Sequence, residues 1–190
     1  MQHPIAKREE FPLILDDMGL KGFGIEIGVS RGEFSEVLLT NKSLKKIYFV
    51  DPWKLYEQDP GCSQKQQDEI YEGTVKLLKK YGDRAAVVRK SSMEAVSDFA
   101  NEYFDFIYID ANHDYKHVAE DIANWYPKLK KGGIFAGHDY RNDPPEIYGV
   151  KPAVDEFCKR LGIEPYITTL QGVDAKSGWK SSLSWYWIKP

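Results

Sequence analysis

The chain has 190 residues, a length that suits one domain around one hydrophobic core. Its apolar share of 42% and aromatic share of 14% allow enough buried surface for a globular fold and exclude a disordered chain. The formal net charge of -3 gives no electrostatic basis for binding a phosphate backbone, so we expect no nucleic-acid partner.

The cysteines and the hydropathy pattern indicate the compartment. Cys62 and Cys158 are far apart and form no CxxC pair, so neither a disulfide framework nor a zinc knuckle is predicted. No apolar run approaches the roughly 18 residues of a membrane span. The polar start of the sequence also lacks the apolar centre of a signal peptide. We therefore expect a cytoplasmic protein with reduced thiols and no membrane partner.

Short apolar stretches alternate with helical patterns along most of the chain. The predicted strands cover 23–29, 46–50, 85–88, 104–109 and 133–136. The clearest helical stripe is formed by Tyr115, Val118, Ile122, Trp125 and Leu129. Pro152 suits the first turn of a later helix. Strands that alternate with helices predict parallel pairing, with helices on both faces of the sheet.

The alternation ends near the last part of the sequence. Segments 165–170 and 182–188 have no convincing helix between them and are predicted to pair antiparallel. The predicted fold is therefore α/β, with a doubly wound, mostly parallel seven-stranded sheet that ends in a C-terminal antiparallel hairpin. One domain is expected over residues 1–190, with a covering loop at 52–68 that leads into a helix.

The most informative segment is GIEIGVSRGE at 24–33, a strand that runs into a glycine-bearing turn and a helix. Gly28 would let the backbone turn and approach a ligand closely. Ser30 and Glu33 form a plausible capping box for that helix. The spacing ExGxxxG is not the GxGxxG of dinucleotide folds, and the carboxylate of Glu26 suits a cation better than a diphosphate. An ordinary strand-to-helix turn and a turn for the ammonium and sulfonium end of S-adenosylmethionine fit the motif equally well.

Polar residues after the next two strands add to this pattern. Asp51 closes the second strand about twenty residues after the turn, where a carboxylate can accept both ribose hydroxyls of a nucleoside. Trp53 could lie against adenine or wall the pocket, although packing on the core is at least as common. Ser91, Ser92 and Met93 follow the third strand and would face the adenine rim, with an N-cap as the alternative for Ser92.

Over nearly its whole length the sequence resembles the class I S-adenosylmethionine-dependent methyltransferases. The runs VDPW at 50–53, IDANHDY at 109–115 and KKGGIFAGHDY at 130–140 resemble methyltransferase family 24, which includes macrolide-sugar O-methyltransferases. The resemblance implies a Rossmann-like methyltransferase fold. It also implies that the glycine loop, with Glu26, Gly28 and Ser30, holds the methionine moiety. Asp51 would hold the ribose, and the turn at 91–93 would hold the adenine.

Polar side chains end the fourth and fifth predicted strands. Asp110 follows one strand, and His138 with Asp139 follows the other. Adjacent strand ends lie about 5 Å apart, so these three residues could hold one Mg²⁺ or Mn²⁺ ion. The resemblance to metal-dependent catechol and sugar O-methyltransferases places ligands at the same positions and brings Asp110 to the cofactor as well. Catechol-type enzymes have an Asp-Asn pair where this chain has His138-Asp139.

His113, three residues after Asp110, is the predicted general base. An imidazole with its ordinary pKa of about 6.5 can accept a hydroxyl proton near neutral pH. The sugar O-methyltransferases that the chain resembles have a histidine at the matching place. A histidine that only bonds a loop is an equal alternative. Arg31 could contact an anionic acceptor group, although an arginine at a helix start is more often solvated.

The predicted activity is O-methylation of a sugar or another small hydroxylated acceptor, with S-adenosylmethionine as cofactor and a divalent metal assisting. Tyr140, Arg141 and segment 142–148 would form a loop over the acceptor pocket. Two alternatives stay open, a metal-free N- or O-methyltransferase and a nucleoside-binding module without catalysis. The missing GxGxxG spacing places a nicotinamide oxidoreductase last.

Overall fold

The computed structural model describes residues 4–55, 62–142, 148–170 and 182–190. The strands are β1 Phe23–Ile27, β2 Lys46–Val50, β3 Ala85–Val88, β4 Phe104–Ile109, β5 Leu129–Gly137, β6 Tyr166–Ile167 and β7 Trp185–Ile188. The α-helices are α1 Phe11–Asp17, α2 Glu33–Leu38, α3 Gln64–Leu78, α4 Ser92–Ala95, α5 Tyr115–Trp125 and α6 Val150–Leu161. Short 3₁₀ helices cover Arg8–Glu10, Lys79–Arg84, Val96–Asp98 and Tyr126–Lys128.

Within these residues the strands form one seven-stranded sheet in the order β3-β2-β1-β4-β5-β7-β6. Strands β1 to β5 pair parallel, whereas β7 pairs antiparallel with both β5 and β6. The predicted α/β sheet with its C-terminal antiparallel hairpin is confirmed. The strand order reverses between β1 and β4, and open α/β sheets bind ligands at the carboxyl ends of the strands that flank such a point.

Both faces of the sheet are covered by helices, and β4 shows how the core divides. Phe106 and Tyr108 pack on one face with buried residues of α1, α2 and α3. Ile107 and Ile109 point to the other face, where they join buried residues of α5 and α6. All four side chains are at most 4% exposed. A strand buried on both faces reads as a continuous apolar run, which is why this segment was recognisable from the sequence.

One helix prediction requires correction, and another agrees with the structure. Helix α5 ends at Trp125, and Leu129 begins β5 instead of continuing the helical stripe. The 3₁₀ turn Tyr126–Lys128, with Pro127 in its first turn, separates the two elements, because proline does not continue an α-helix. Helix α6 begins at Val150, so Pro152 lies in its first turn as predicted.

The predicted capping box of Ser30 and Glu33 is wrong. Helix α2 follows Gly32, which has a left-handed backbone with φ 79° and makes no side-chain cap. Ser30 is itself left-handed, with φ 49°, and its carbonyl accepts hydrogen bonds from Trp53 and Thr74. The turn is therefore held by long-range contacts that local sequence spacing does not reveal.

Two predicted loops lie only partly within the described residues. The covering loop at 52–68 leads into α3 as expected, but residues 56–61 lie outside the described residues, and so do residues 143–147 of the predicted acceptor loop. In the part of the chain that is described, no helix has the length and apolar character needed to cross a membrane.

Candidate functional site

Two cavities open at the carboxyl ends of β1, β2 and β4, where the strand order reverses. The larger has a volume of about 500 Å³ and the smaller about 350 Å³. Both are lined by Gly28 and Ala111, so they adjoin across the β1 turn. The larger cavity is also lined by Ile27, Val50, Pro52, Leu55, Ser91, Ser92, Met93, Asn112, His117, Glu120 and Asp121. The smaller is also lined by Arg8, Glu26, Val29, Ser30, Glu33, Phe34, Asp51, Asp110 and His113.

The β1 turn brings Glu26 and Gly28 to this edge. Glu26 is 2% exposed, and Ser35 donates a hydrogen bond of 2.5 Å from Oγ to its Oε2. Burial raises the pKa of Glu26 to about 8 against the opposing effect of that hydrogen bond. A cationic ligand in the smaller cavity would stabilise the ionised form of this carboxyl group.

Gly28 is required by the packing of two strand ends. A Cβ there would lie 2.0 Å from the backbone oxygen of Asp110, and φ is 88°. The missing side chain lets the β1 turn lie closely against the end of β4, and the positive φ fits the backbone turn that was expected. Gly28 also lines both cavities, and its close approach to a ligand stays a prediction.

Asp51 lies beside this turn and braces it. Its Oδ2 accepts hydrogen bonds of 3.0 Å from the backbone amides of Val29 and Ser30, and its Oδ1 accepts one of 2.7 Å from the amide of Trp53. The side chain lines the smaller cavity and is 9% exposed as a residue. Asp51, which was predicted to bind the ribose, thus also fixes the shape of the glycine turn through its hydrogen bonds.

Trp53 lies apart from both cavities. It is fully buried, its ring packs at a centroid distance of 5.0 Å from Tyr71, and its Nε1 donates to the carbonyl of Ser30. The contacts place the indole in the core beside α3, which was the alternative considered for it. Its role is to support the turn from behind.

The turn after β3 does line the larger cavity, through Ser91, Ser92 and Met93. Ser91 caps α4 in a reciprocal box with Glu94, so the cap belongs to Ser91 and not to Ser92. Ser92 instead donates to Asp121 and accepts a hydrogen bond of 2.8 Å from Trp125 Nε1.

Asp121 is a cavity residue that the sequence analysis missed. It is 4% exposed on α5, and burial raises its pKa to about 6 although the hydrogen bond from Ser92 opposes this. The signal that could have found it in the sequence is a carboxyl group on the side of an amphipathic helix that packs on the core.

The carboxyl ends of β4 and β5 bring together three of the predicted catalytic and metal residues. Suitable ligand atoms of Asp110, His113 and Asp139 lie within 4.8 Å of one another. His113 Nε2 lies 3.0 Å from Asp139 Oδ2 and 3.6 Å from Asp110 Oδ1. These three residues, here called the carboxylate cluster, line or adjoin the smaller cavity.

His138 lies next to the carboxylate cluster on its buried side. Its Nδ1 is 3.3 Å from Asp139 Oδ2 and 3.7 Å from Asp110 Oδ1, and the residue is 8% exposed. Its carbonyl accepts a hydrogen bond from Trp185 Nε1, which ties β5 to β7. His113 lines the smaller cavity whereas His138 does not.

The two carboxylates control the charge of His113. Burial alone would lower the pKa of His113, but Asp110 and Asp139 raise it to about 9. The pKa of Asp139 is held well below its usual range, because its contacts with His113 and His138 outweigh the effect of burial. In this arrangement His113 carries a proton near neutral pH, so the ordinary pKa assumed in the sequence analysis does not apply.

Two arginines complete the surroundings of the carboxylate cluster. The sequence analysis placed Arg141 in the predicted acceptor loop and missed Arg8. Arg8, in the N-terminal 3₁₀ helix, donates from Nη1 to Asp110 Oδ2 at 3.3 Å. Arg141 Nε lies 3.6 Å from Asp139 Oδ1. No local motif marks Arg8, because it is distant in sequence from the strand that it contacts.

The donor set suits a divalent cation. Two carboxylates and an imidazole converge, and Nε2 of the neighbouring His138 is buried without a hydrogen-bond partner among the described residues. A buried nitrogen atom without a partner is costly, and coordination to a metal is one way to satisfy it. Oxygen and nitrogen donors together fit Mn²⁺ or Mg²⁺.

Backbone strain is concentrated at the same edge. In the described residues four non-glycine residues have positive φ, and three of them follow strands at the site: Ser30, Trp53 and Asp139. Such conformations cost of order 1 kcal/mol each and persist only where the surroundings enforce them. The hydrogen bonds of Asp51 and the contacts of Asp139 supply that constraint.

Comparison with known proteins bears on this geometry. A family model described as a methyltransferase domain matches residues 25–140. An uncharacterized protein of Acanthamoeba polyphaga mimivirus is 26% identical over 145 residues, which are 75% of this chain and 62% of that protein. The chain spans less than two thirds of the length of the curated relatives it matches.

Solved structures share the fold at low identity. An O-methyltransferase from Bacillus cereus in complex with S-adenosylhomocysteine has a TM-score of 0.66 and 17% identity, covering 96% of this chain and 80% of that chain. The N-methyltransferase NodS from Bradyrhizobium japonicum has a TM-score of 0.64 and 16% identity, covering 96% of this chain and 94% of that chain. The family model covers more than half of the sequence, so the chain belongs to the methyltransferase domain family and has the Rossmann-like fold of class I S-adenosylmethionine-dependent methyltransferases.

Proposed function

We propose that the chain is an enzyme that transfers the methyl group of S-adenosylmethionine to a hydroxyl group of a sugar or another small acceptor, assisted by a divalent cation. The observation that carries this proposal is the position of the carboxylate cluster, directly beside the β1 turn and its cavities. A methyl donor held by the turn would then lie next to a group of residues that can bind and deprotonate an alcohol.

The cofactor would extend over the β1 turn from the smaller into the larger cavity. Glu26 would attract the ammonium group, and Asp51 would accept a ribose hydroxyl with the lone pairs that its three backbone bonds leave free. The larger cavity has Met93 and Ile27 on its apolar walls and suits the adenine ring. Asp121 is buried there and would accept a hydrogen bond from the exocyclic amino group.

The acceptor would lie over the carboxylate cluster. Asp110, Asp139 and His138 would hold a Mg²⁺ or Mn²⁺ ion, which when bound lowers the pKa of a coordinated hydroxyl group. His113 would accept the hydroxyl proton, since it lines the cavity whereas His138 does not. For this role it must first lose its own proton, which a cation on the same carboxylates favours by cancelling the charge that raises its pKa.

A metal-free N- or O-methyltransferase is the second candidate. Arg8 lies 3.3 Å from Asp110 and Arg141 lies 3.6 Å from Asp139, so both carboxylates have cationic partners without a metal. A nucleoside-binding module without catalysis is the third candidate. It would bind the nucleoside at the same β1 turn but would not transfer a methyl group. The cytoplasmic location and a small-molecule acceptor as the sole partner class stay predictions.

Two titrations test the proposal. S-adenosylhomocysteine should bind the purified chain with a measurable heat and a thermal shift, and Mn²⁺ should bind the resulting complex, as detected by electron paramagnetic resonance. Replacement of Asp139 by Asn should abolish Mn²⁺ binding while leaving nucleoside binding intact. The surface variant Asp98→Asn, in which only an exposed pair with Lys90 is lost, serves as the control.

The outcomes separate the candidates. Absence of any S-adenosylhomocysteine signal would contradict the proposal as a whole. Nucleoside binding without Mn²⁺ binding, together with methyl transfer that persists in EDTA, would favour the metal-free candidate.

A further inference from the structure

Arg8 and Arg141 approach the carboxylate cluster from two different segments of the chain, and neither is explained by methyl transfer itself. Arg8 belongs to the 3₁₀ helix before α1, and Arg141 follows β5. Each guanidinium lies against one carboxylate, Asp110 for Arg8 and Asp139 for Arg141. The pair therefore flanks the position at which the acceptor would be held.

Both guanidinium groups are oriented by aromatic rings. Arg8 lies over the ring of Phe34 with its central carbon 4.9 Å from the centroid. Arg141 lies over the ring of Tyr148 at 3.4 Å, and Tyr148 in turn stacks with His113 at 5.5 Å. The N–H bonds of a guanidinium group lie in the plane of the group. When an aromatic ring covers one face of that plane, the N–H groups stay free to bind a ligand at its edge.

The donors of the two groups are incompletely used. Nε of Arg8 and Nε of Arg141 are buried, and neither has a hydrogen-bond acceptor among the described residues; Glu9 Oε1 lies 3.7 Å from the first and Asp139 Oδ1 lies 3.6 Å from the second. A buried donor without an acceptor is unfavourable, so each guanidinium group keeps unused hydrogen-bonding capacity. The two side chains are 26% and 33% exposed, so a ligand can reach the other N–H groups of each guanidinium. An oxyanion there would accept charge-assisted hydrogen bonds.

The charge balance points the same way. In the structure Arg8 and Arg141 face Asp110 and Asp139, and Arg8 Nε also lies 3.7 Å from Oε1 of the exposed Glu9. A sulfonium cofactor or a divalent cation beside these groups would add positive charge to a region that already holds two guanidinium groups. An anionic group on the acceptor would offset the added charge, whereas a neutral acceptor would not.

We propose that Arg8 and Arg141 form an anion-binding site and that the acceptor carries an oxyanion, a carboxylate or a phosphate, beside the hydroxyl group that is methylated. This inference rests on the proposed function and narrows its acceptor class to hydroxy acids, acidic sugars and sugar phosphates. It also transfers the anion contact from Arg31, which is exposed, to Arg8, which lines the smaller cavity, and to Arg141, which lies beside Asp139.

Ligand-observed NMR with the chain saturated with S-adenosylhomocysteine tests the site without requiring turnover. The probes are D-glucuronate and D-glucose 6-phosphate against neutral D-glucose, and 3,4-dihydroxybenzoate against 3,4-dihydroxybenzamide. At least one oxyanion probe should bind about tenfold more tightly than its neutral partner, because charge-assisted bonds to a guanidinium are worth more than neutral ones. The two sugar anions show whether a carboxylate or a phosphate is preferred.

The variants locate the site. Arg8→Gln and Arg141→Gln should reduce the preference for the anion to less than about threefold, Arg8→Lys should retain part of it, and the control Arg31→Gln should keep it. Equal binding of anionic and neutral probes to the wild type, including no binding of either, would overturn the inference even if the variants fail to fold. A preference that survives both glutamine variants would overturn it too. Binding of S-adenosylhomocysteine to the same samples reports separately on the proposed function.

Discussion

The cofactor side and the acceptor side of the site are built in different ways. On the cofactor side the polar groups of β1 and β2 are fixed by hydrogen bonds from uncharged donors, with Asp51 bound to backbone amides and Glu26 to Ser35. On the acceptor side charged groups from the ends of β4 and β5 and from the N-terminal 3₁₀ helix face one another. The first arrangement gives a rigid shape, whereas the second leaves charges that a ligand can rearrange.

Asp51→Ala should cause the largest loss of affinity for S-adenosylhomocysteine and should disturb only the cofactor side. Three backbone amides lose their acceptor, and each buried unpaired donor costs about 1–3 kcal/mol, so the turn should lose its shape. We expect affinity for S-adenosylhomocysteine to fall about 1000-fold. Calorimetry measures this, with Asp98→Ala as the surface control. An unchanged affinity would remove Asp51 from the cofactor site.

His113→Ala should affect the acceptor side alone. Loss of a general base slows proton transfer by about 100-fold or more, so the methyl transfer rate should fall by that factor. Affinity for S-adenosylhomocysteine should stay within about threefold, because the imidazole contacts Asp110 and Asp139 and not the turn. A single-turnover assay gives the rate. If the rate persisted, His113 would have only a structural role.

A pH titration sharpens the comparison, because Glu26 is the carboxyl group of the cofactor side whose pKa is raised furthest, to about 8. Burial raises the pKa of Glu26 to about 8, so the free protein holds this carboxyl neutral below that pH. A cationic ligand requires the ionised form, so binding must release a proton at lower pH. Affinity for S-adenosylhomocysteine should therefore rise up to about tenfold per pH unit between pH 6 and 8 and then level off. Glu26→Gln should flatten the profile, and a wild-type profile that is already flat would show that Glu26 does not meet the ammonium group.

Asp121→Asn should give the smallest effect, at the adenine end of the cofactor side. The amide keeps the hydrogen bond with Ser92 but is a weaker acceptor for an amino group than a carboxylate. We expect about a fivefold loss of affinity for S-adenosylhomocysteine, and a smaller loss for its analogue in which the 6-amino group is replaced by hydrogen. Equal losses for both nucleosides would show that Asp121 does not contact this amino group.

The cofactor side was the more predictable half, for a physical reason. Glu26 lies near the end of β1, and Gly28 and Asp51 follow β1 and β2, whose apolar runs are visible in the sequence. Parallel strands bring their carboxyl ends to one edge. The same argument brought Asp110 near Asp139. Arg8 was beyond its reach, because its contact with Asp110 depends on how the N-terminal segment packs over the sheet. The burial of Trp53 and the shifted pKa of His113 likewise follow from tertiary surroundings, which local patterns do not contain.

A crystal structure with S-adenosylhomocysteine and Mn²⁺, with data recorded at the manganese absorption edge, most directly tests the division of the site into a cofactor side and an acceptor side. The account predicts the nucleoside across Gly28, with its ammonium group near Glu26, and an anomalous peak within coordination distance of Asp110 and Asp139. A nucleoside bound away from the β1 turn, or a manganese ion bound elsewhere while the carboxylate cluster stays empty, would contradict it.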